Sequence, residues 1–170
     1  MKNLKFITLL IACFFLFNFA TCKYGFKDVA PIPLEIKNFR VSQLGNRAQY
    51  TNPRLSPQLT DKLQQKIIST TRLRQINDDN ADYDISGYVS QYSTSTVNIQ
   101  NNQASTNRLT IGFHLIFKNK LDATKDFESD VNYTKDFKSE FSLSDAENTY
   151  NDEIVRNLVD LIFNKIFSNW

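Results

Sequence analysis

Residues Ala81 to Lys118, ADYDISGYVSQYSTSTVNIQNNQASTNRLTIGFHLIFK, read as two long strands joined by a polar tip, and the rest of the chain is placed by how it covers them. In the first arm Tyr83, Ile85, Gly87 and Val89 share one face, while Asp82, Asp84, Ser86, Tyr88 and Ser90 share the other, the period of two expected of a strand. The second arm is sharper: Leu109, Ile111, Phe113, Leu115 and Phe117 alternate with Thr110, Gly112, His114, Ile116 and Lys118, as in an antiparallel strand with one buried side. The tip from Ser93 to Thr106 carries no charge and only Val97, Ile99 and Ala104 as apolar residues, so it is expected outside the core.

With 170 residues, 41% of them hydrophobic, the chain suits one domain with a substantial core. Lys2 and Lys5 precede an apolar run from Phe6 to Ala20. The run is shorter than the roughly 20 residues of a membrane-spanning helix and reads as an export signal. Cys22 follows it directly, in the position a lipoprotein signal peptidase requires for thioether attachment of diacylglycerol. The other reading is an ordinary export signal with Cys22 a free thiol. The expected organisation is a lipoprotein signal peptide over 1–21, a lipid-anchored tether over 22–30 and a single α+β domain over 31–170. Of the 20 basic residues, loss of Lys2 and Lys5 leaves 18 against 18 acidic ones, a balance that argues against nucleic acid as a partner. Basic residues concentrate in 23–74 and acidic ones in 140–170, an asymmetry that either faces phosphates or disappears on folding.

Ahead of the hairpin, Ile32, Leu34 and Ile36 alternate in Pro31 to Phe39 and predict a first strand, with Pro33 at its start or edge. Ser56 and Pro57 predict a helix start, and Leu59, Leu63 and Ile67, with Ile68 beside them, give that helix one apolar stripe ending near Thr70. Arg72 to Ile76 is a short strand. After the hairpin, Phe127, Ser129, Val131 and Tyr133 alternate and predict a strand paired with the second arm. Ser144 and Glu147 have capping-box spacing, and the apolar positions from Tyr150 to Trp170 cover more of the helix than one sheet needs. Some of Val159, Phe163, Phe167 and Trp170 are therefore expected at a contact surface with another protein. The fold class expected is an α+β two-layer sandwich, a mixed and mostly antiparallel sheet of about four to five strands with two helices on one face.

Chemistry is sparse, and the chain does not read as an enzyme. The only histidine, His114, falls on the less apolar face of its strand, with no Ser, Cys or Glu at triad spacing. Asp78, Asn80 and Asp82 match the first, third and fifth positions of a calcium loop, but Tyr83 and Val89 occupy the sixth and twelfth, so the segment is a solvated turn. No glycine-rich phosphate loop, metal-binding cluster or cofactor motif is present.

The ordered set Cys22, Tyr24, Phe26; Asn38, Phe39; Asn46, Arg47; Asn52, Pro53, Leu55, Ser56, Leu59, Thr60, Leu63; Ser69, Thr71, Arg72, Leu73; Asp82, Gly87, Tyr92; and Asn107, Arg108, Leu109, Thr110 with Phe117 and Asn119 resembles the LPS-assembly lipoprotein family, LptE, across nearly the whole mature chain. The resemblance implies lipid anchoring at Cys22 to the outer membrane, on its periplasmic side. It implies a partner, an LptD-like outer-membrane β-barrel that the protein plugs and helps assemble while lipopolysaccharide is delivered to the surface. Lipopolysaccharide itself is a second implied partner, since some members bind it. Asn101, Asn107, Arg108, Phe167 and Trp170 are the candidate contacts with barrel or lipopolysaccharide. The chain departs from the family at Phe19 and Thr21, which flank the acylation site, and its uncharged Ser93 to Thr106 argues against electrostatic binding of lipid phosphates by the tip. A lipid-anchored binding module for another envelope protein is the alternative.

Overall fold

The strand from Gln103 to Asn119, β5, is the spine of the protein: Leu109, Ile111, Phe113, Leu115 and Phe117 are all buried, as their alternation predicts. The computed structural model describes residues 32–50, 52–100 and 103–168, apart from the side chains of 98–105. On one side β5 pairs antiparallel with β4 (Tyr83–Gln100), and on the other with β6 (Phe127–Lys138), from Thr106 against Lys138 to Phe117 against Phe127. Beyond β4 lie β1 (Asn38–Val41) and β3 (Arg74–Gln75), both joined in parallel, and β2 (Gly45–Asn46) pairs alongside β4. The result is a six-stranded mixed sheet, with β2 as a strand beyond those expected.

Helices α1 (Leu55–Thr70) and α2 (Leu143–Phe167) cover one face. Leu59, Leu63 and Ile67 of α1 and Ile154, Leu158, Ile162 and Ile166 of α2 are buried against Tyr83, Ile85, Val89 and the β5 row. Each such side chain contributes about 1.5–3 kcal/mol on leaving water. The α+β sandwich expected from the sequence is thus the fold.

Several local expectations are corrected. Pro31 to Phe39 is not one strand: the Pro33 carbonyl accepts from the Ile36 amide at 3.1 Å, closing a turn that leaves Leu34 80% exposed while Ile36 is buried. Helix α1 starts two residues earlier than the Ser-Pro pair suggests, at Leu55 instead of Pro57. Asn52 Oδ1 accepts from the Arg54 amide at 3.0 Å, and the Ser56 hydroxyl donates to the Gly45 carbonyl. Ile68 is half exposed instead of extending the stripe. The capping box of α2 is Ser142 with Asp145, because the chain becomes helical at Leu143.

The tip is also shorter than expected, since β4 runs to Gln100 and β5 starts at Gln103. Thr94, Thr96 and Val97 are β-branched and favour the extended chain. A bulge between Val89 and Gln91 advances β4 by one residue, so the inward set passes from Tyr83, Ile85 and Val89 to Tyr92.

The apolar surplus of α2 faces its own domain. Val159, Phe163 and Phe167 are buried, and Phe167 packs at 4.8 Å from Phe163 and 6.4 Å from Tyr83 by ring centroids. The surplus arises because α2 packs on α1 as well as on the sheet, a second apolar neighbour that a helix-on-sheet estimate leaves out. Phe167 is therefore a core residue and offers no accessible contact surface.

Candidate partner-binding surface

Tyr92 and Leu109 are, among the described residues, the last buried ones of the two arms, and beyond them the hairpin continues as a ribbon, β4 to Gln100 and β5 from Gln103. Ser93, Thr94, Ser95, Thr96 and Val97 are all exposed, so along this stretch of β4 neither face is covered by the domain, while Thr106, Asn107 and Arg108 of β5 opposite are partly exposed. Asn107 and Arg108 stand at the base of this ribbon. The Asn107 side chain accepts a hydrogen bond from the Thr96 hydroxyl at 3.2 Å, and Arg108 holds Asp136 of β6 through two bonds of 2.6 and 2.8 Å. That pairing holds the Asp136 carboxyl below, and the Arg108 guanidinium above, their ordinary pKa ranges. The sequence-predicted contacts Asn107 and Arg108, consecutive in β5, thus stand at the ribbon's base on opposite faces of the strand. Cys22, Asn101 and Trp170 lie outside the described residues.

A buried polar cluster fixes the base of the ribbon and is not among the sequence-predicted sites. Glu147, in the first turns of α2, is only 6% exposed and accepts from the Tyr92 hydroxyl at 2.7 Å and the Tyr50 hydroxyl at 3.3 Å. The two tyrosine rings lie 5.2 Å apart. Burial first, and the carboxylate second, raise the pKa of both phenols. One side chain thereby joins α2, β4 and the connection preceding α1. The available signal was an acid on a helical stripe, since Glu147 precedes Ile154 by seven residues.

The sheet face away from the helices is polar and open. His114 lies between Asp130, 2.7 Å from Nδ1, and Glu128, 3.1 Å from Nε2, and the two hydrogen bonds, Asp130's foremost, raise its pKa. Its ring lies 5.1 Å from Tyr88, over which the Arg47 guanidinium sits at 4.0 Å. The carboxylates bind opposite ring nitrogens and do not converge. Among the described residues no group of three or more His, Cys, Asp or Glu can hold a metal ion.

Charges separated in sequence interleave in space: Arg40 pairs with Asp84 and Asp79, Lys66 with Asp160, and Lys135 with Glu153. The calcium-like segment is structural, with Asp82 accepting from the amides of Lys37 and Asn38 at 2.8 and 3.1 Å. No helix among the described residues is long and apolar enough to cross a membrane.

No curated protein matches the chain. Among solved structures the fold is similar to the rare lipoprotein B of Shewanella oneidensis, with 13% identity and a TM-score of 0.52 over 75% of this chain and 92% of that one. It is similar to a minor lipoprotein of Acinetobacter baumannii, with 14% identity and a TM-score of 0.50 over 78% of this chain and 94% of that one. The PelC dodecamer of Paraburkholderia phytofirmans gives 12% identity and a TM-score of 0.50 over 84% and 95%. At these identities the likeness is one of fold. A family model described as "LptE: Lipopolysaccharide-assembly" matches residues 36–166.

Proposed function

Because the chain belongs to the lipopolysaccharide-assembly family LptE, we propose that it is an outer-membrane lipoprotein, acylated at Cys22, that plugs an LptD-like β-barrel and supports its assembly during lipopolysaccharide delivery to the cell surface. The β4–β5 ribbon carries this reading. From Ser93 to Gln100 it spans about 25 Å at strand rise, similar to the apolar band of an outer-membrane barrel, about 25 Å tall around a polar lumen. Hydroxyl and amide side chains can exchange hydrogen bonds with such a wall without the desolvation cost of burying a charge. Acylation would hold the domain at the periplasmic side, where two or more chains give stable anchoring and a single one does not.

The test is a variant in which 96–107 are replaced by a two-residue turn joining the register partners Ser95 and Arg108, compared with wild type in cells depleted of the native protein. Wild type is expected to recover a large barrel protein on purification and to maintain surface lipopolysaccharide. The shortened variant, folded and labelled by a palmitate analogue, is expected to do neither. Equal recovery of the barrel by both would overturn the plug reading and favour a binding module that uses another surface.

A further inference from the structure

The sheet ends on β6, whose outer edge is unpaired among the described residues. The groups along that edge follow from the register. The Lys120 amide donates to the Asp82 carbonyl at 2.9 Å, so even-numbered residues in this part of β5 bond to β4 and the odd-numbered ones bond to β6. With β5 and β6 paired without a shift, the amides and carbonyls of Glu128, Asp130, Asn132, Thr134 and Asp136 point off the free edge.

Exposed edges are usually blunted by proline, a bulge or charged side chains. The 12 residues of β6 contain no proline, and its ladder with β5 contains no shift. Its acidic side chains are drawn back over the neighbouring strand, with His114 holding Asp130 and Glu128, and Arg108 holding Asp136, while Lys135 is held by Glu153 of α2 and Lys138 pairs with Glu140 past the strand's end. A shelf continues past the edge. Asn157 of α2 donates to the Tyr133 hydroxyl at 3.4 Å, and Lys165 lines a groove with Phe127 and Ser129. Leu161, one turn from each and 38% exposed, lies on that same flank of the helix. Phe127 and Val131 beside it are only partly buried.

We propose that the β6 edge is a strand-addition site for an extended segment of another polypeptide, with apolar side chains toward Phe127, Val131 and Leu161 and basic or uncharged ones over Glu128, Asp130 and Asp136. Backbone hydrogen bonds would supply affinity, and the alternate side chains specificity. A second copy of this chain fits poorly in the register centred on Asn132, the middle of the free edge from Glu128 to Asp136. Antiparallel pairing there sets Glu128 opposite the other copy's Asp136, twice by symmetry, and like charges directly opposite are destabilising. A closed barrel wall has no free edge, so this site is separate from the ribbon and stands independently of the barrel reading.

The test uses the whole folded protein and a synthetic octapeptide of alternating Lys and Val at millimolar concentration. Amide exchange at the even-numbered residues from Glu128 to Asp136 is expected to slow about tenfold or more, with the odd-numbered amides unchanged. Asn132→Pro, which removes an outward amide and spares the β5 ladder, is expected to keep the wild-type circular dichroism and abolish the slowing. If that variant fails to fold, a peptide N-methylated at alternate residues makes the same decision by failing to protect the edge. No slowing, or equal slowing by the N-methylated peptide, would overturn the proposal. So would edge amides that become protected without peptide as protein concentration rises, because the occupant would then be a second copy.

Discussion

Glu147 occupies a position on α2 where helical spacing calls for an apolar side chain, and two tyrosine hydroxyls account for it there. Glu147→Ala removes an acceptor from both phenols and is expected to cost about 1–3 kcal/mol in denaturant unfolding. Glu147→Gln, which keeps an acceptor, should cost clearly less; an alanine variant as stable as wild type would show that the cluster contributes nothing. His114 makes a prediction of opposite chemistry. Hydrogen bonds to Asp130 and then Glu128 raise its pKa above the ordinary 6.5. The contribution of the protonated ring is therefore fully present below that value and fades as pH rises through the folded-state pKa. Wild type should exceed His114→Gln in stability at acidic to neutral pH and lose that margin as the solution becomes alkaline. An imidazole titration by NMR at or below 6.5 would contradict the geometry. Neither cluster was legible in full, because each joins residues far apart in sequence: Glu147 meets Tyr50 and Tyr92, and His114 meets Glu128 and Asp130.

At the scale of elements, the strands were readable wherever one face is buried and the other wet. Leu109 to Phe117 alternates without a break because β5 has the helices on one side and solvent on the other. Pro31 to Phe39 also alternates, yet Pro33 closes a turn, so local backbone chemistry outweighed a short hydrophobic pattern. The bulge after Val89 had no clear sequence signal, although it decides that Tyr92 faces inward. Close packing between β4 and β5 is concentrated at Gly87, where an added Cβ would lie 2.7 Å from Phe113 Cζ and closer still to the His114 carbonyl oxygen. The backbone atom cannot move aside as a flexible side chain could. Gly87→Ala is therefore expected to cost about 1–3 kcal/mol, and an unchanged melting temperature would show that the strands separate there at little cost.

For the whole molecule, the sandwich was legible because two amphipathic helices and a half-buried hairpin have few ways to hide their apolar faces. The packing of α2 on α1 was not. It depends on a second helix lying alongside, and it turns Val159, Phe163 and Phe167 from expected contact residues into core. That leaves the uncovered ribbon as the surface on which the proposed function rests. The most direct measurement is in-cell photocrosslinking from Val97, which is 37% exposed on the ribbon, with Ile68, 50% exposed on α1, as the comparison position. A high-mass adduct with an outer-membrane barrel protein, much stronger from Val97 than from Ile68, is the predicted result. With the protein folded and acylated, no barrel adduct from Val97 would contradict the account.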